Sequence, residues 1–587
     1  MMHVHDVLII GAGPCGLAIA ARLREHTPSA TFTDDEHQRY HWIKKHGKKM
    51  NIKNWRTQVN SLPTPPSSPE PESECGCDGH GSNDTKSGTD MLVLDADGGD
   101  WMSKWNRLFK TFGIDFLRSP MFFHVDPADR DALLGFAYAT SREKELFALP
   151  GCVGKEMSKH RKKKKRNAVG KVTQTKADID ERDRNDYLNP STKLFEDHCK
   201  DVAGRYNLGS GMIRHERVDD IKYDEKSAFF SDSDFDDPKG QDKIFKVTTN
   251  NGVHFAKIVI LNVGPGNMPS VPLVAGLPAD PHEGYCHALH IKQYPPPHVI
   301  SKINRKAPTN LLIIGGGLTS IQIADVALKR GVSKIWLFMR GGIKVKYFDI
   351  DLDWVGKFRN INQASFWSAD TDEGLPQLLV SCIFHRLMIA ERLEMYLEAR
   401  NGGSINPRYR KILDKHVASG KIALQTFTTI QSVTWDMESR NFKSIVTSSP
   451  EISLPPIDHI VFATGVQTDV NTMPCLQTIQ HDYPIEVLGG LPCINNDLMW
   501  CDEVPLFTNG RLAGLRLGPG APNLVGARIG AERIAWNVQD LLDKMARDEN
   551  GENSDGILGE ETRNEPLNAY VSGRGSRYLG LADNAQD

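Results

Sequence analysis

A glycine-rich segment near the start of the chain has the residue types and spacing of a phosphate-binding turn. It reads Gly11-Ala12-Gly13-Pro14-Cys15-Gly16, follows a short apolar run at residues 7–10 and precedes a helical pattern at 17–23. In such a turn the first glycine permits the tight bend and the second lets a pyrophosphate approach the backbone. The third lets the helix pack closely on the strand. The segment therefore predicts a dinucleotide site at the positive N-terminus of a helix.

The fold that contains such a turn places an acidic residue at the end of its second strand, where the carboxylate binds ribose hydroxyls. Residues 30–33 read as that strand, and Asp34 and Asp35 follow it. We assign the ribose contact to Asp34. Because a carboxylate suits a ribose that carries no 2′-phosphate, the first site is predicted to bind FAD.

A second glycine-rich turn repeats the arrangement much later in the chain. The apolar run at residues 311–314 leads into Gly315-Gly316-Gly317-Leu318-Thr319-Ser320, and a helical pattern follows. Ser320 replaces the last glycine and is small enough to allow close helix packing. This turn predicts a second dinucleotide site.

The residue that selects the second nucleotide is predicted to be Arg340. It follows the strand pattern at residues 334–339, at the place where the first motif has Asp34. A guanidinium there suits a 2′-phosphate, so this site is predicted to bind NADPH; the alternative is a solvated charge at a strand end. Two dinucleotide sites in one chain imply electron transfer from a nicotinamide to a flavin.

Three other segments support this arrangement, and the first two are predicted to lead the chain between the two nucleotide sites. Residues 257–266 and 458–465 each read as a strand that ends in a glycine turn. Residues 517–532 pass from a Gly/Pro turn into a helix whose first backbone N–H groups would point at the flavin; the alternative is an ordinary capped helix. These segments supply the remaining predicted FAD contacts, Gly465, Asn523 and Leu524.

The elements that must position these residues form an α/β protein. We predict two Rossmann-like domains, each with a doubly wound parallel sheet, and the NADPH domain inserted into the FAD domain. The predicted boundaries are 1–305 for the first part of the FAD domain, 306–450 for the NADPH domain, 451–547 for the return of the FAD domain with its flavin-contacting helix, and 548–587 for a polar tail.

Two polar segments interrupt the first part of the FAD domain. Residues 61–90 are rich in Pro, Ser, Gly and acids and predict a disordered excursion. Cys75, Cys77 and His80 lie within it, but no second ligand pair has suitable spacing, and no metal site is predicted. Residues 155–186 are a charged insertion that contains a basic run at 159–166. We interpret this run as a solvated surface loop, with nuclear import or nucleic-acid contact as the alternative.

Composition limits the classes of partner. The 587 residues include 71 Lys and Arg against 74 Asp and Glu, so the net charge is only -3 and no global basic excess favours nucleic-acid binding. Ten cysteines without a CxxC pair indicate reduced thiols. No apolar stretch is long enough to cross a membrane and no secretion signal is present, so we expect a cytoplasmic protein without a membrane partner.

The chain resembles the class B flavoprotein monooxygenases, which carry FAD and NADPH on two Rossmann folds of one polypeptide. Residues 458–466 are similar to the DxxxLATGY signature of their N-hydroxylating branch, with Phe462 in place of leucine and Val466 in place of tyrosine. The chain also resembles the oxidative-stress-induced growth inhibitor family and fungal ornithine-monooxygenase-like proteins. The segments that carry this likeness are 99–106, 117–124, the basic run, 180–187 and 518–534.

This resemblance implies that bound FAD is reduced by NADPH and reacts with O₂ to a C4a-(hydro)peroxyflavin, which transfers one oxygen atom to a small-molecule substrate. Such chemistry needs no side-chain nucleophile, so no catalytic residue is predicted. The Baeyer–Villiger fingerprint FxGxxxHxxx, followed by Trp or Tyr and Pro, is matched only in part by Gly284-Tyr285-Cys286-His287 with Tyr294-Pro295 downstream. Oxygenation of nitrogen or another heteroatom is therefore favoured over ketone oxidation.

Three other functions remain open on the sequence. A flavin disulfide reductase shares the layout but needs a redox-active cysteine pair beside the flavin, which Cys15 alone does not supply. An NADPH oxidase that releases peroxide has the same sequence features. A stress- or growth-regulatory protein could keep the flavoprotein fold, although intact glycines in both turns argue against lost cofactor binding.

Overall fold

The structure is a computed structural model that describes residues 3–25, 89–153, 179, 181–229, 243–264, 266, 269–279, 281–356, 382–448 and 452–549. Several sequence predictions fall outside these ranges. They concern Asp34, nearly all of the excursion at 61–90, the basic run at 159–166 and the tail beyond residue 549.

Strands and helices alternate along much of the described chain. The strands are β1 (Val4–Ile10), β2 (Met91–Asp95), β3 (Leu146–Ala148), β4 (Leu188–Pro190), β5 (Ile213–His215), β6 (Val218–Glu225), β7 (Lys243–Thr249), β8 (Val253–Leu261), β9 (Tyr285–His287), β10 (Asn310–Ile314), β11 (Lys334–Met339), β12 (Ile422–Thr426), β13 (Ile430–Asp436), β14 (Asn441–Thr447), β15 (His459–Phe462), β16 (Val487–Leu488), β17 (Leu491–Pro492), β18 (Met499–Cys501) and β19 (Val504–Thr508). The α-helices are α1 (Pro14–Arg24), α2 (Ser103–Phe112), α3 (Ala132–Ala139), α4 (Thr192–Arg205), α5 (Pro297–Asn304), α6 (Leu318–Lys329), α7 (Cys382–Arg400), α8 (Pro407–Ala418), α9 (Gln477–Asp482), α10 (Gly514–Leu517) and α11 (Leu524–Glu549).

The first sheet contains the first glycine-rich turn. Its strand order is β18-β19-β8-β1-β2-β5, and β7 joins β8 to β6. β1 pairs in parallel with β2 and β8, so Ile10, its last residue, lies beside Leu94 and Leu261 near the carboxyl ends of those strands. Parallel strands of this kind are buried on both faces, which explains their continuous apolar runs. The turn after Ile10 therefore begins at the carboxyl edge of the sheet, where ligands bind in open α/β sheets.

The second sheet contains the second turn and is entirely parallel, with the order β12-β11-β10-β15-β9. Two of its five strands lie outside the predicted range of 306–450 for the NADPH domain, because β9 precedes residue 306 and β15 follows residue 450. The chain rejoins the first sheet only at β18 and β19. The sheet that a strand joins depends on long-range pairing, and a short apolar run in the sequence does not indicate which sheet this is. The α/β fold class with parallel sheets is confirmed.

Helix α11 closes the first domain by packing against α1. The guanidinium of Arg22 donates to both carboxylate oxygens of Glu532, at 2.5 and 3.0 Å, and both side chains are at most 10% exposed. Trp536 Nε1 also donates to Glu532, at 2.7 Å. This buried pair ties α11 to α1. In the described part of the chain, no helix is long and apolar enough to cross a membrane.

Candidate functional site

The three glycines of the first turn have different surroundings. Gly11 has φ +107°, and a Cβ there would lie 2.5 Å from the carbonyl oxygen of Asn262. A Cβ on Gly16 would lie 2.0 Å from the carbonyl oxygen of Gly11. Gly13, by contrast, precedes α1 with open space beside it, since nothing lies within 4 Å of its Cβ position. Two glycines thus satisfy internal packing, and the middle one leaves room for a ligand at the helix N-terminus.

The strand beside β1 ends in an acidic residue that the sequence interpretation missed. Asp95 is the last residue of β2, and its Oδ2 accepts a hydrogen bond from Ala12 N at 2.7 Å. Its Oδ1 accepts from Asp97 N at 2.7 Å and from Gly98 N at 3.2 Å. The carboxylate therefore ties the end of β2 to the glycine turn. The apolar run followed by an aspartate was the available sequence signal, but residues 26–88 separate it from α1.

Asn262 is a second residue that sequence reasoning did not single out. It follows β8 and is only 6% exposed, yet neither its Nδ2 nor its Oδ1 has a hydrogen-bond partner among the described residues. Buried polar atoms are nearly always paired, so this amide is a candidate contact for a molecule bound in the cavity. Its side chain lines the cavity beside Gly11.

A cavity of about 950 Å³ opens at the carboxyl edge of the first sheet. Small-molecule sites usually occupy roughly 300–1,000 Å³, so this one is at the large end of the range. The predicted contacts that line it are Gly11, Gly13, Pro14, Cys15, Asn523 and Leu524 from the first site and Leu318 and Thr319 from the second. The start of α1, the start of α6 and the start of α11 therefore meet at one cavity.

One wall of this cavity is apolar. It consists of α2 and the segment after it, with Trp105, Leu108, Phe109, Phe112 and Phe116 among the lining side chains.

Burial raises the pKa of the Cys15 thiol, which also lines the cavity, to about 12. Cys15 is therefore a thiol at neutral pH and not the thiolate that disulfide exchange needs.

Charged side chains lie near the start of α11. Asn523 Nδ2 donates to Asp349 Oδ1 at 3.1 Å, and Arg400 pairs with the other oxygen of Asp349 at 3.1 Å. Arg511 also lines the cavity, and burial lowers the pKa of its guanidinium. Because Arg400 already neutralises Asp349, Arg511 gives this end of the cavity a positive charge.

The second turn repeats the packing of the first at the end of β10. Gly315 has φ +150°, and a Cβ there would lie 2.2 Å from the carbonyl oxygen of Ala463. Ser320 is fully buried in α6, and its hydroxyl donates to the carbonyl of Gly317 at 2.6 Å. The serine therefore fits the place of the third glycine and satisfies its own hydroxyl.

The loop between α7 and α8 contacts the middle glycine of the second turn. A Cβ on Gly403 would lie 3.0 Å from both the N and the Cα of Gly317. In this arrangement the backbone of Gly317, where a pyrophosphate is expected, faces another loop. The first turn is not covered in this way, because nothing lies within 4 Å of the Cβ position of Gly13.

Arg118 fixes the position of that loop. Its guanidinium donates to the carbonyls of Lys346 at 3.0 Å, Phe348 at 2.6 Å and Ser404 at 3.1 Å, and also to the Ser404 hydroxyl at 2.9 Å. Burial lowers the pKa of Arg118 to about 10. A single side chain thus joins the segment after α2 to two segments of the second domain, a contact that no local sequence pattern indicates.

The other predicted contacts do not line the cavity. They are Gly16, Gly465, Gly315, Gly316, Gly317, Ser320 and Arg340. Gly16, Gly315 and Ser320 have the packing roles given above. Arg340 is exposed at the end of β11, as its predicted role requires, but no described contact tests that role.

Comparison with known sequences finds only partial relatives. No protein-family model matches the chain. An uncharacterized CzcO-like oxidoreductase of Geobacillus kaustophilus is 23% identical over 246 residues, which are 41% of this chain and 56% of that protein. An uncharacterized oxidoreductase CzcO of Bacillus velezensis is 29% identical over 126 residues, 22% of this chain and 30% of that protein. The chain thus spans about half or less of the length of these relatives.

Solved structures match over nearly the whole chain. The reduced form of the ornithine hydroxylase PvdA of Pseudomonas aeruginosa has a TM-score of 0.51 and 15% identity, and the match covers 92% of this chain and all of PvdA. The Kutzneria ornithine N-hydroxylase KtzI, solved with reduced FAD, NADP⁺ and ornithine, has the same TM-score and coverage with 11% identity. At this level of identity the similarity establishes the fold, and the chain has the fold of the class B flavoprotein monooxygenases.

Proposed function

We propose that the protein is an FAD-dependent monooxygenase that consumes NADPH and transfers one oxygen atom from O₂ to a heteroatom of a small molecule. The observation that carries the proposal is the single cavity shared by the starts of α1 and α6. Two dinucleotides bound at these helices would bring their reactive rings into one shared cavity, as transfer between nicotinamide and flavin requires.

The residues of the first turn fit the FAD pyrophosphate. The start of α1 offers backbone N–H groups and the positive end of a helix dipole, and Gly13 leaves the approach open. Arg511 adds a positive charge on the same cavity. Asn262 offers an unpaired amide that could bind a hydroxyl or phosphate oxygen of the cofactor.

The carboxylate that binds the FAD ribose is proposed to be Asp95. Three backbone N–H groups already occupy its oxygens, which leaves about one of roughly four acceptor positions for a ribose hydroxyl. Asp34, the residue indicated by the sequence, stays a prediction. The variants Asp95→Asn and Asp34→Asn distinguish the two, because only loss of the contacting carboxylate should weaken FAD binding. Weakened binding in Asp34→Asn alone would restore the original assignment.

The second turn is proposed to bind NADPH, with Arg340 on the 2′-phosphate. Gly315 to Ser320 have the packing of a dinucleotide turn, and α6 reaches the shared cavity at Leu318 and Thr319. Because the loop at Gly403 covers Gly317, we infer that this loop shifts when the NADPH pyrophosphate binds.

FAD supplies the redox and oxygen chemistry when it is bound. The chain must therefore bind the cofactor, orient the substrate and exclude water. The apolar wall of α2 serves the last purpose, since a dry pocket limits loss of the activated oxygen as peroxide. Oxygenation of nitrogen or sulfur is favoured over ketones because His287, the histidine of the incomplete Baeyer–Villiger fingerprint, is buried in β9 and does not line the cavity.

The proposed function is tested by tracing the oxygen atoms of O₂ into the product. Purified protein is given NADPH and isotopically labelled O₂ with a panel of amines, sulfides and ketones, and both product mass and peroxide are measured. One labelled oxygen in an amine or sulfide product, with peroxide falling as product rises, is expected. NADPH consumption that yields only peroxide with every compound would instead favour an NADPH oxidase.

A further inference from the structure

Two histidines and an aspartate converge at the start of the first sheet. His3 precedes β1, His5 lies on it two residues later, and Asp90 directly precedes β2. His3 Nε2 and His5 Nδ1 lie 2.7 and 2.8 Å from the same oxygen, Oδ2 of Asp90. Their three potential ligand atoms all lie within 4.8 Å of one another. Residues two apart on a strand point to the same face, which explains why both imidazoles reach one carboxylate.

The strands hold the aspartate in this position. Val7 N donates to the Asp90 carbonyl at 3.1 Å, and Asp90 N donates to Asp6 Oδ2 at 3.2 Å. Asp6 is itself paired with Lys257, at 3.2 Å, so its charge is balanced. The backbones that carry His5 and Asp90 are therefore fixed by the sheet, and a site built on strands is more preorganised than one on loops.

We propose that His3, His5 and Asp90 bind a divalent transition-metal ion of the zinc class. Two imidazole nitrogens and a carboxylate oxygen suit Zn²⁺ and its neighbours, whereas Mg²⁺ and Ca²⁺ prefer oxygen ligands alone. The ion would replace the hydrogen bonds that now join the imidazoles to the carboxylate. Three protein ligands leave at least one position for water. The side chains of His3, His5 and Asp90 are 67%, 18% and 44% exposed, so an ion can enter.

This site is separate from the dinucleotide cavity. It lies at the amino ends of β1 and β2, whereas the glycine turn and Asp95 lie at their carboxyl ends. None of its three residues lines the cavity. A bound ion would cross-link the starts of two strands that residues 11–90 separate in sequence, so its expected effect is on stability and not on electron transfer.

The site is tested on the full-length chain without an affinity tag, after removal of metal with a chelator. Zn²⁺ is titrated by calorimetry, the unfolding temperature is followed with and without Zn²⁺, and Co²⁺ absorption reports the ligand geometry. One Zn²⁺ per chain is expected, with a rise in unfolding temperature. His3→Gln, at an exposed position, should weaken binding by about tenfold or more, and His3→Gln combined with His5→Gln should abolish it. Asp90→Asn should also weaken it.

Two controls keep the assignment specific. His254→Gln alters a nearby histidine that pairs with Glu216 at 2.8 Å, and it should leave Zn²⁺ affinity unchanged. Cys75→Ser combined with Cys77→Ser, which lie outside the described residues, should also leave it unchanged. The proposal is wrong if no saturable binding of one Zn²⁺ per chain occurs, or if that binding survives the double histidine variant. Normal flavin binding in either case would leave the proposed function intact.

Discussion

At the residue scale, the glycines of the first turn have different roles: two are needed for packing, and one is proposed to leave room for a ligand. Gly11 and Gly16 face backbone atoms, whereas the Cβ position of Gly13 faces open space at the start of α1. The same substitution should therefore have different consequences at neighbouring positions.

Gly16→Ala is expected to destabilise the protein by about 1–3 kcal/mol, because its Cβ overlaps the carbonyl oxygen of Gly11. Gly13→Ala should lower the unfolding free energy of the FAD-free protein by no more than about 1 kcal/mol, the typical cost of alanine at an N-cap. It should nevertheless weaken FAD binding by about tenfold, since the methyl group occupies the approach of the pyrophosphate. Chemical denaturation and FAD titration measure the two effects. Gly252→Ala, in the turn between β7 and β8 with open space around it, is the matched control for both. Unchanged FAD affinity in Gly13→Ala would place the phosphates elsewhere.

Arg340→Ala tests the choice of the second nucleotide. Loss of a guanidinium–phosphate contact costs about 1.5–3 kcal/mol, so the KM for NADPH should rise about tenfold to a hundredfold while that for NADH changes little. Steady-state reduction of the flavin by each nucleotide gives both values. Arg410→Ala, an exposed arginine of α8 that pairs with Asp414, should change neither. Equal losses for NADPH and NADH in Arg340→Ala would refute the 2′-phosphate assignment.

At the element scale, the contact between α1 and α11 joins two parts of the proposed FAD site. Glu532→Gln removes one charge of the buried pair with Arg22 and should destabilise the protein by about 3 kcal/mol. Asp414→Asn removes one charge of an exposed pair within α8 and should cost less than about 1 kcal/mol. Urea unfolding of both variants makes the comparison. Similar costs for the two variants would mean that the α1–α11 pair is not a determinant of this interface.

Local elements were predictable from sequence, and their long-range neighbours were not. Each glycine turn carries its strand, turn and helix within a short segment, so both of these units could be predicted and both are present. The cover of Gly317 by the loop at Gly403 could not be predicted in this way. Residues 30–33, the first strand pattern after α1, lie outside the described residues. The described strand β2 pairs with β1 after a separation of more than sixty residues from α1, which no periodicity reveals. The partners of Arg118 and the unpaired amide of Asn262 likewise depend on segments that meet only in the folded chain.

At the scale of the whole molecule, buried histidines should make stability depend on pH. Burial lowers the pKa of His198 and His287 to about 4 and that of His459 to about 3. Each lies below the value of about 6.5 for an unfolded chain, so the unfolded state binds more protons once the pH falls below that value. Their contribution to stability is full above pH 6.5 and declines towards the folded pKa.

His198→Leu isolates one of these groups. The lowered pKa of His198 should reduce the free energy of unfolding by about 2 kcal/mol between pH 7 and pH 5. Neither ring nitrogen of His198 has a hydrogen-bond partner in the described part of the chain. The variant should therefore show a smaller drop in unfolding free energy over that interval, by urea denaturation at both pH values. His481→Gln, whose side chain is 87% exposed, should retain the original drop. An unchanged drop in His198→Leu would show that this histidine does not titrate as its burial requires.

The central claim is that one cavity brings together a flavin and the nicotinamide that reduces it. It is tested most directly by adding NADPH to the purified, yellow protein without oxygen and recording the flavin absorbance. The account predicts that the absorbance is lost, faster with NADPH than with NADH, and returns when O₂ is admitted. A protein that binds no flavin, or a bound flavin that NADPH does not bleach, would contradict it.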